Sequence, residues 1–196
     1  MRYRCHHLAL GAIAVLSTTA SPLAAQVPAA ELQIAGAVSA APEGLRANAT
    51  VIGYTNYHRM ATLREGSNEM ICLADDPSEP RWQVACYHKD LEPFMVKGRE
   101  LRATGADPKA IEAGRLAAIE AGTLKMPDGP RVLYNLFASG DSVDAATGLA
   151  HGTTAMQSVY IPYATAESTG LPARPGNGLP WIMYPGKPWA HIMLMR

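Results

Sequence analysis

Three groups of residues in this 196-residue chain have types and spacings that can do chemistry. His191, Met193 and Met195 alternate near the C-terminal end, so on a strand all three project to one side. An imidazole with two thioethers is a soft donor set suited to Cu(I). The second group is the polar run Ser139-Gly140-Asp141-Ser142-Val143-Asp144, with His151 shortly after it. A hydrolase built here would take its nucleophile from Ser139 or Ser142, its base from His151 or His191 and its orienting acid from Asp141 or Asp144. Asp144, however, occupies the place of the second glycine in a G-x-S-x-G elbow. The third group is aromatic. Tyr160, Tyr163, Trp181, Tyr184 and Trp189 lie in or beside a stretch stiffened by Pro180, Pro185 and Pro188. Rigid rings of this kind suit a small hydrophobic molecule, a glycan or a protein partner.

Each group also has an ordinary reading. Methionine fills cores, and Ser, Gly and Asp are the residues with which any strand-ending turn is made. His58, His88, His151 and His191 fall in no recognised ligand spacing, although Met70 and His88 would extend the His/Met set if their strands lay alongside it. The aromatic rings would equally cap the open end of a core. The balance favours a non-catalytic binding module that uses the aromatic loop, with a hydrolase and a copper-binding protein as alternatives, and it implies no cofactor.

The elements that position these groups begin with a hairpin. Glu69 to Ala74 and Arg81 to His88 are β-prone runs separated by Asp75-Asp76-Pro77-Ser78-Glu79-Pro80, which continues neither strand. With Cys72 opposite Cys86, Met70 faces His88 and Ala74 faces Val84. Neither a C-x-x-C nor a zinc-site spacing is present, so a disulfide is expected.

Leu91, Phe94, Met95, Gly98 and Leu101 then mark one face of a helix over about 90–104, with Asp90 as its cap and Gly105 as its stop. Asp107-Pro108 opens a second helix over about 108–124, which Met126-Pro127-Asp128-Gly129-Pro130 terminates. Further strands are expected at 49–52, 60–64, 131–138, 158–163 and 189–195. The 131–138 and 189–195 strands should lie inside the sheet, and Pro162 should place 158–163 toward an edge.

Residues 1–25 read as an export signal: Arg2 and Arg4, an apolar run from Leu8 to Leu16, then Ser21-Pro22-Leu23-Ala24-Ala25. Export to the periplasm or the outside explains how Cys72 and Cys86 become oxidised. The remaining chain, residues 26–196, carries 15 basic against 17 acidic residues, and no Lys/Arg cluster stands out. This argues against a nucleic-acid partner, which normally needs a basic footprint. No second long apolar segment follows, so no membrane span is expected in the mature chain.

Leu63-Arg64-Glu65-Gly66-Ser67-Asn68, Cys72-Leu73-Ala74-Asp75-Asp76, Cys86-Tyr87-His88 and Pro188-Trp189-Ala190-His191-Ile192-Met193 together resemble a family of uncharacterised secreted bacterial proteins with a two-cysteine hairpin. The resemblance implies export and the pairing of the two cysteines, and no activity. The expected architecture is a single α+β domain, with a mixed or mainly antiparallel sheet of five to seven strands, two main helices and one disulfide.

Overall fold

The computed structural model describes residues 27–56 and 59–195. The export signal expected over 1–25 and His58 lie outside the described residues. The chain opens with helix α1 (Ala30–Val38) and the short α2 (Glu43–Arg46), followed by strands β1 (Thr50–Asn56), β2 (Arg59–Arg64), β3 (Met70–Leu73) and β4 (Arg81–His88). Helices α3 (Glu92–Ala103) and α4 (Pro108–Glu120) come next, and then β5 (Arg131–Ser139) and β6 (Thr154–Tyr160). The chain finishes with α5 (Ala166–Thr169), β7 (Trp181–Met183) and β8 (His191–Met195).

The strands form one sheet in the order β2-β1-β3-β4-β5-β6-β8-β7. Only β1 and β3 run parallel; the other neighbours are antiparallel. The sheet thus has eight strands among the described residues, more than the five to seven expected. The additional strand is β7, three residues inside a Pro- and Gly-rich stretch. A run that short has no alternation to display and exists because β8 pairs with it.

Two further expectations are corrected. The 158–163 strand is Thr154–Tyr160, and it is interior, between β5 and β8. Pro162 lies two residues beyond its end and so removes no ladder hydrogen bond. Asp90 does not cap α3. It sits in a 3₁₀ turn, Lys89–Leu91, where His88 Nδ1 accepts from the Asp90 N–H at 3.2 Å. The Asp90 carboxylate instead takes Arg131 Nε and Nη2 at 2.7 and 2.6 Å, tying this turn to the start of β5.

The hairpin register is as expected: Met70 pairs with His88 and Cys72 with Cys86, and the two cysteines are bonded. Period-two alternation then divides the sheet into two buried faces. Val51, Met70, Cys72 and Cys86 meet Ala37 and Ala41 on the face that α1 covers. Tyr87, Leu133 and Tyr160 meet Leu91, Phe94 and Leu124 on the other face, beneath α3 and α4. A polar clamp fixes α3 to this second face. The Tyr87 hydroxyl donates to Glu92 Oε2 at 2.5 Å, and Arg99 bonds both the tyrosine oxygen (3.0 Å) and Glu92 Oε1 (2.5 Å).

Asp107 caps α4 by accepting from the Ala110 N–H at 2.8 Å, with Pro108 at the first helical position. Gly105, at φ 82°, provides the left-handed residue that stops α3. No helix among the described residues is long and apolar enough to cross a membrane.

Candidate functional site

The five aromatic residues divide into a sealed cluster and an open rim. Tyr160 ends β6 and Trp189 stands just before β8, and both pack on Phe94 of α3, with ring centroids 6.0 and 5.9 Å from it. His191 stacks on Tyr160 at 4.7 Å. Tyr160 and Trp189 keep only 8% and 5% of their surface exposed. Arg115 of α4 lies 3.9 Å over the Phe94 ring and donates from Nε to the Phe94 carbonyl at 3.0 Å. The guanidinium fits there because residue 98 is glycine; a Cβ would come within 1.9 Å of Arg115 Nη2.

Burial pushes the Tyr160 phenol up to about 12, against the opposing pull of Arg115. The same burial lowers the His191 imidazole below its ordinary value, partly offset by the contact of its Nδ1 with the Trp189 carbonyl at 2.8 Å. Tyr184 is half-buried at the edge of the cluster and bonds Glu112 Oε1 at 2.7 Å, which raises its phenol. Trp181, also half-buried, lies on edge strand β7 opposite Met193.

Tyr163 behaves differently. It is 58% exposed, and its backbone is left-handed at φ 63°. A bulky L-residue in that region costs roughly 1–2 kcal/mol and is held only by its surroundings. Here the holding bonds are Tyr163 N–H to Lys187 carbonyl (3.0 Å) and Gly186 N–H to Ala164 carbonyl (2.7 Å), which tie the 161–164 segment to the turn before β8.

Tyr163, Ile161 and Pro162 form one side of a groove of about 650 Å³, and Ile119, Leu124 and the 125–130 segment form the other. That volume is in the range of small-ligand sites. Leu124 belongs at once to the groove floor and to the core beneath α3 and α4. The 125–130 wall is invisible to a sequence reading because Met-Pro-Asp-Gly-Pro signals a helix stop and nothing more. A smaller depression of about 450 Å³ lies at the far end of β4 and β5, where Arg81 stacks 4.3 Å over Phe137.

The 139–144 loop spends its polar groups on itself. Ser139 Oγ bonds the Asp141 carboxylate, Ser142 Oγ donates to the Ser139 carbonyl at 2.6 Å, and Asp144 Oδ1 accepts from the Ala146 N–H at 2.7 Å. His151 is exposed, and its N–H donates to the Ser142 carbonyl at 3.0 Å. Among the described residues no serine hydroxyl of this loop is bonded to an imidazole.

His191, Met193 and Met195 do share a face of β8, as the alternation requires. His191 and Met193 are buried, and Met193 Sδ accepts from Ser158 Oγ at 3.2 Å; Met195 is 46% exposed. Met70 and His88 cannot join them. Carrying the register from β3 and β4 through β5 and β6 puts those two residues on the opposite face, and β5 and β6 stand between β4 and β8. No group of three or more His, Cys, Asp or Glu placed to hold a metal ion occurs among the described residues.

Comparison with protein-family models, with curated proteins and with solved structures finds no match to this chain.

Proposed function

We propose that this protein is an exported, non-catalytic binding module whose ligand sits in the groove between Tyr163 and the 125–130 segment. The observation that carries this reading is Tyr163 itself: a large ring, more than half exposed, held in a costly backbone conformation at the rim of a groove of about 650 Å³. An aromatic ring that served only the core would be covered, as Tyr160 and Trp189 are. In this reading the sealed cluster is the buttress and Tyr163 is the contact. Tyr184, which shares the left-handed backbone at φ 54°, packs on Trp189 and His191 of that cluster, and Trp181 lies outside the groove lining. The buried disulfide is compatible with life outside the cytoplasm, as is the signal expected over residues 1–25.

The groove lining combines Ile, Leu, Met, Pro and Tyr side chains with Lys125 and Asp128, so the apolar part of a ligand is what it would bury against Tyr163. Titration with anilinonaphthalene sulfonate, a fluorescent apolar probe, tests this. Saturation at one equivalent by the native protein, lost in Tyr163→Ala and retained in Trp181→Ala, is the expected result. Absence of saturable binding, or binding indifferent to Tyr163→Ala, refutes the assignment.

A further inference from the structure

At the edge of the sheet, β7 and β8 place four soft or aromatic side chains at the corners of one quadrilateral. Met183 is directly opposite His191, and Trp181 directly opposite Met193. Opposed residues share a face, and so do residues two apart on one strand, so all four project to the same side. Opposed Cβ atoms lie about 5 Å apart and diagonal ones about 7–8 Å, within reach of methionine with its three rotatable side-chain bonds. Spacing along the chain predicts His191, Met193 and Met195 as the set. The structure exchanges Met195 for Met183, because the β7 ladder ends at Met193 and Met195 lies beyond it, 46% exposed.

His191 has one ring nitrogen fixed and the other open. Its Nδ1 lies 2.8 Å from the Trp189 carbonyl. A carbonyl has no proton to give, so Nδ1 carries the hydrogen and the lone pair of the neutral ring is on Nε2. Among the described residues nothing donates to Nε2, although His191 is only 8% exposed. Buried acceptors are rarely left without a partner. The Tyr160 ring, stacked 4.7 Å away, fixes the imidazole plane. A backbone carbonyl on one nitrogen and an open lone pair on the other is the arrangement that orients metal-bound histidines. Met193 is held in a similar way. Ser158 donates to its Sδ at 3.2 Å, which leaves the sulfur a second lone pair.

The donors select the ion. One imidazole and two thioethers are neutral and soft, a combination that favours Cu(I) over Zn(II), Ca(II) or Mg(II). The cost of burying an ion grows with the square of its charge, so donors without a carboxylate or thiolate suit a monovalent cation. Trp181, at the fourth corner, offers its indole face to that cation.

We propose that His191 Nε2, Met183 Sδ and Met193 Sδ form a Cu(I) site at the β7–β8 edge. Met183 is half-buried and gives the ion its way in. None of these residues lines the groove, so the site does not depend on the groove reading.

The test is an anaerobic Cu(I) titration of the folded full chain in competition with bicinchoninate, a chromophoric chelator. The comparison protein is Met183→Leu, Met193→Leu, which removes both sulfurs and nearly conserves volume. Cys5, His6 and His7 are common to both proteins, so any copper they take cancels in the difference. The parent should take up one equivalent more than the double variant and one more than His191→Gln, and Zn(II) should show no such difference. Met183→Leu alone should weaken binding at least about tenfold, since a lost ligand costs no less than a lost outer-shell partner. That single change, at a half-buried edge position, decides the matter if the double variant does not fold. Equal Cu(I) uptake by the parent and the methionine variants overturns the site, and equal uptake by His191→Gln overturns the role of the imidazole. A matching difference in Zn(II) uptake overturns selection by softness. Tyr163-dependent dye binding should persist in the methionine variants, so failure here and failure of the groove are told apart.

Discussion

Tyr160 and Tyr163 are three residues apart, yet 8% of one and 58% of the other is exposed to solvent. Tyr160 is the last residue of β6, so the sheet register directs its ring under Phe94 and against His191. Tyr163 follows Pro162, adopts a left-handed backbone and turns its ring to solvent at the groove rim. For these two tyrosines the difference follows from the end of the β6 ladder: Tyr160 is still paired with His191, whereas Tyr163 lies beyond the last pair. The ladder alone does not decide burial, since Trp189 stands outside any strand and is sealed by Phe94, while Trp181 on β7 is only half-buried.

The most severe way to break this comparison is to remove a ring from the sealed side. Trp189→Ala, a large-to-small change at a site 5% exposed, should cost about 3–5 kcal/mol in urea unfolding. A cost like that of an exposed site would mean the cluster is not the buttress of the groove. Next in size is the disulfide on the opposite face. Replacing Cys72 and Cys86 together by Ala should cost about 3 kcal/mol, from the loop closed across 14 residues of sequence separation. Probe binding at the groove should survive under conditions where the variant stays folded, since the bond lies on the α1 face.

A third, intermediate effect is visible in pH dependence. Burial lowers the folded His191 value, so the unfolded chain takes up the proton first. The stability contributed by the neutral imidazole is full above the ordinary value of 6.5 and declines as pH falls from there through the folded value. Between about pH 8 and about pH 5 the parent should therefore lose more stability than His191→Gln. Asp75 works in the opposite sense. Burial raises it to about 6, so its contribution is present at low pH and lost as pH rises through that value. It is common to both proteins and cancels in the difference. Equal pH slopes for parent and variant would show that His191 is not titrating out of a buried state.

The smallest effect sharpens the other half of the comparison. Tyr163→Gly relieves the left-handed strain but adds chain entropy to the unfolded state, so stability should stay within about 1 kcal/mol of the parent. The same variant should lose apolar-probe binding. A large destabilisation would make Tyr163 a structural residue like Tyr160.

Much of this molecule is legible one residue at a time. The β4 run and the register of Cys72 with Cys86 follow from alternation and a polar turn that neither strand can cross. The α4 start follows from Asp107-Pro108, and the end of α3 from Gly105, because caps and stops act within a few residues of themselves. Less legible are the elements that exist only through a partner. β7 has three residues and no pattern of its own, and β8 supplies the ladder that makes it a strand. Asp90 looks like a cap locally, yet Arg131, forty-one residues away, claims its carboxylate.

The sequence alone determined which rings were available, where the chain would stop and turn, and which cysteines could meet, since each depends on local backbone chemistry and short-range spacing. The tertiary structure decided which rings are covered, that Met70 and His88 face away from His191, and that a helix-terminating Met-Pro-Asp-Gly-Pro segment becomes a wall opposite Tyr163. Burial and juxtaposition are properties of strand order and of helix placement over the sheet, and those arise from contacts between segments distant in the chain.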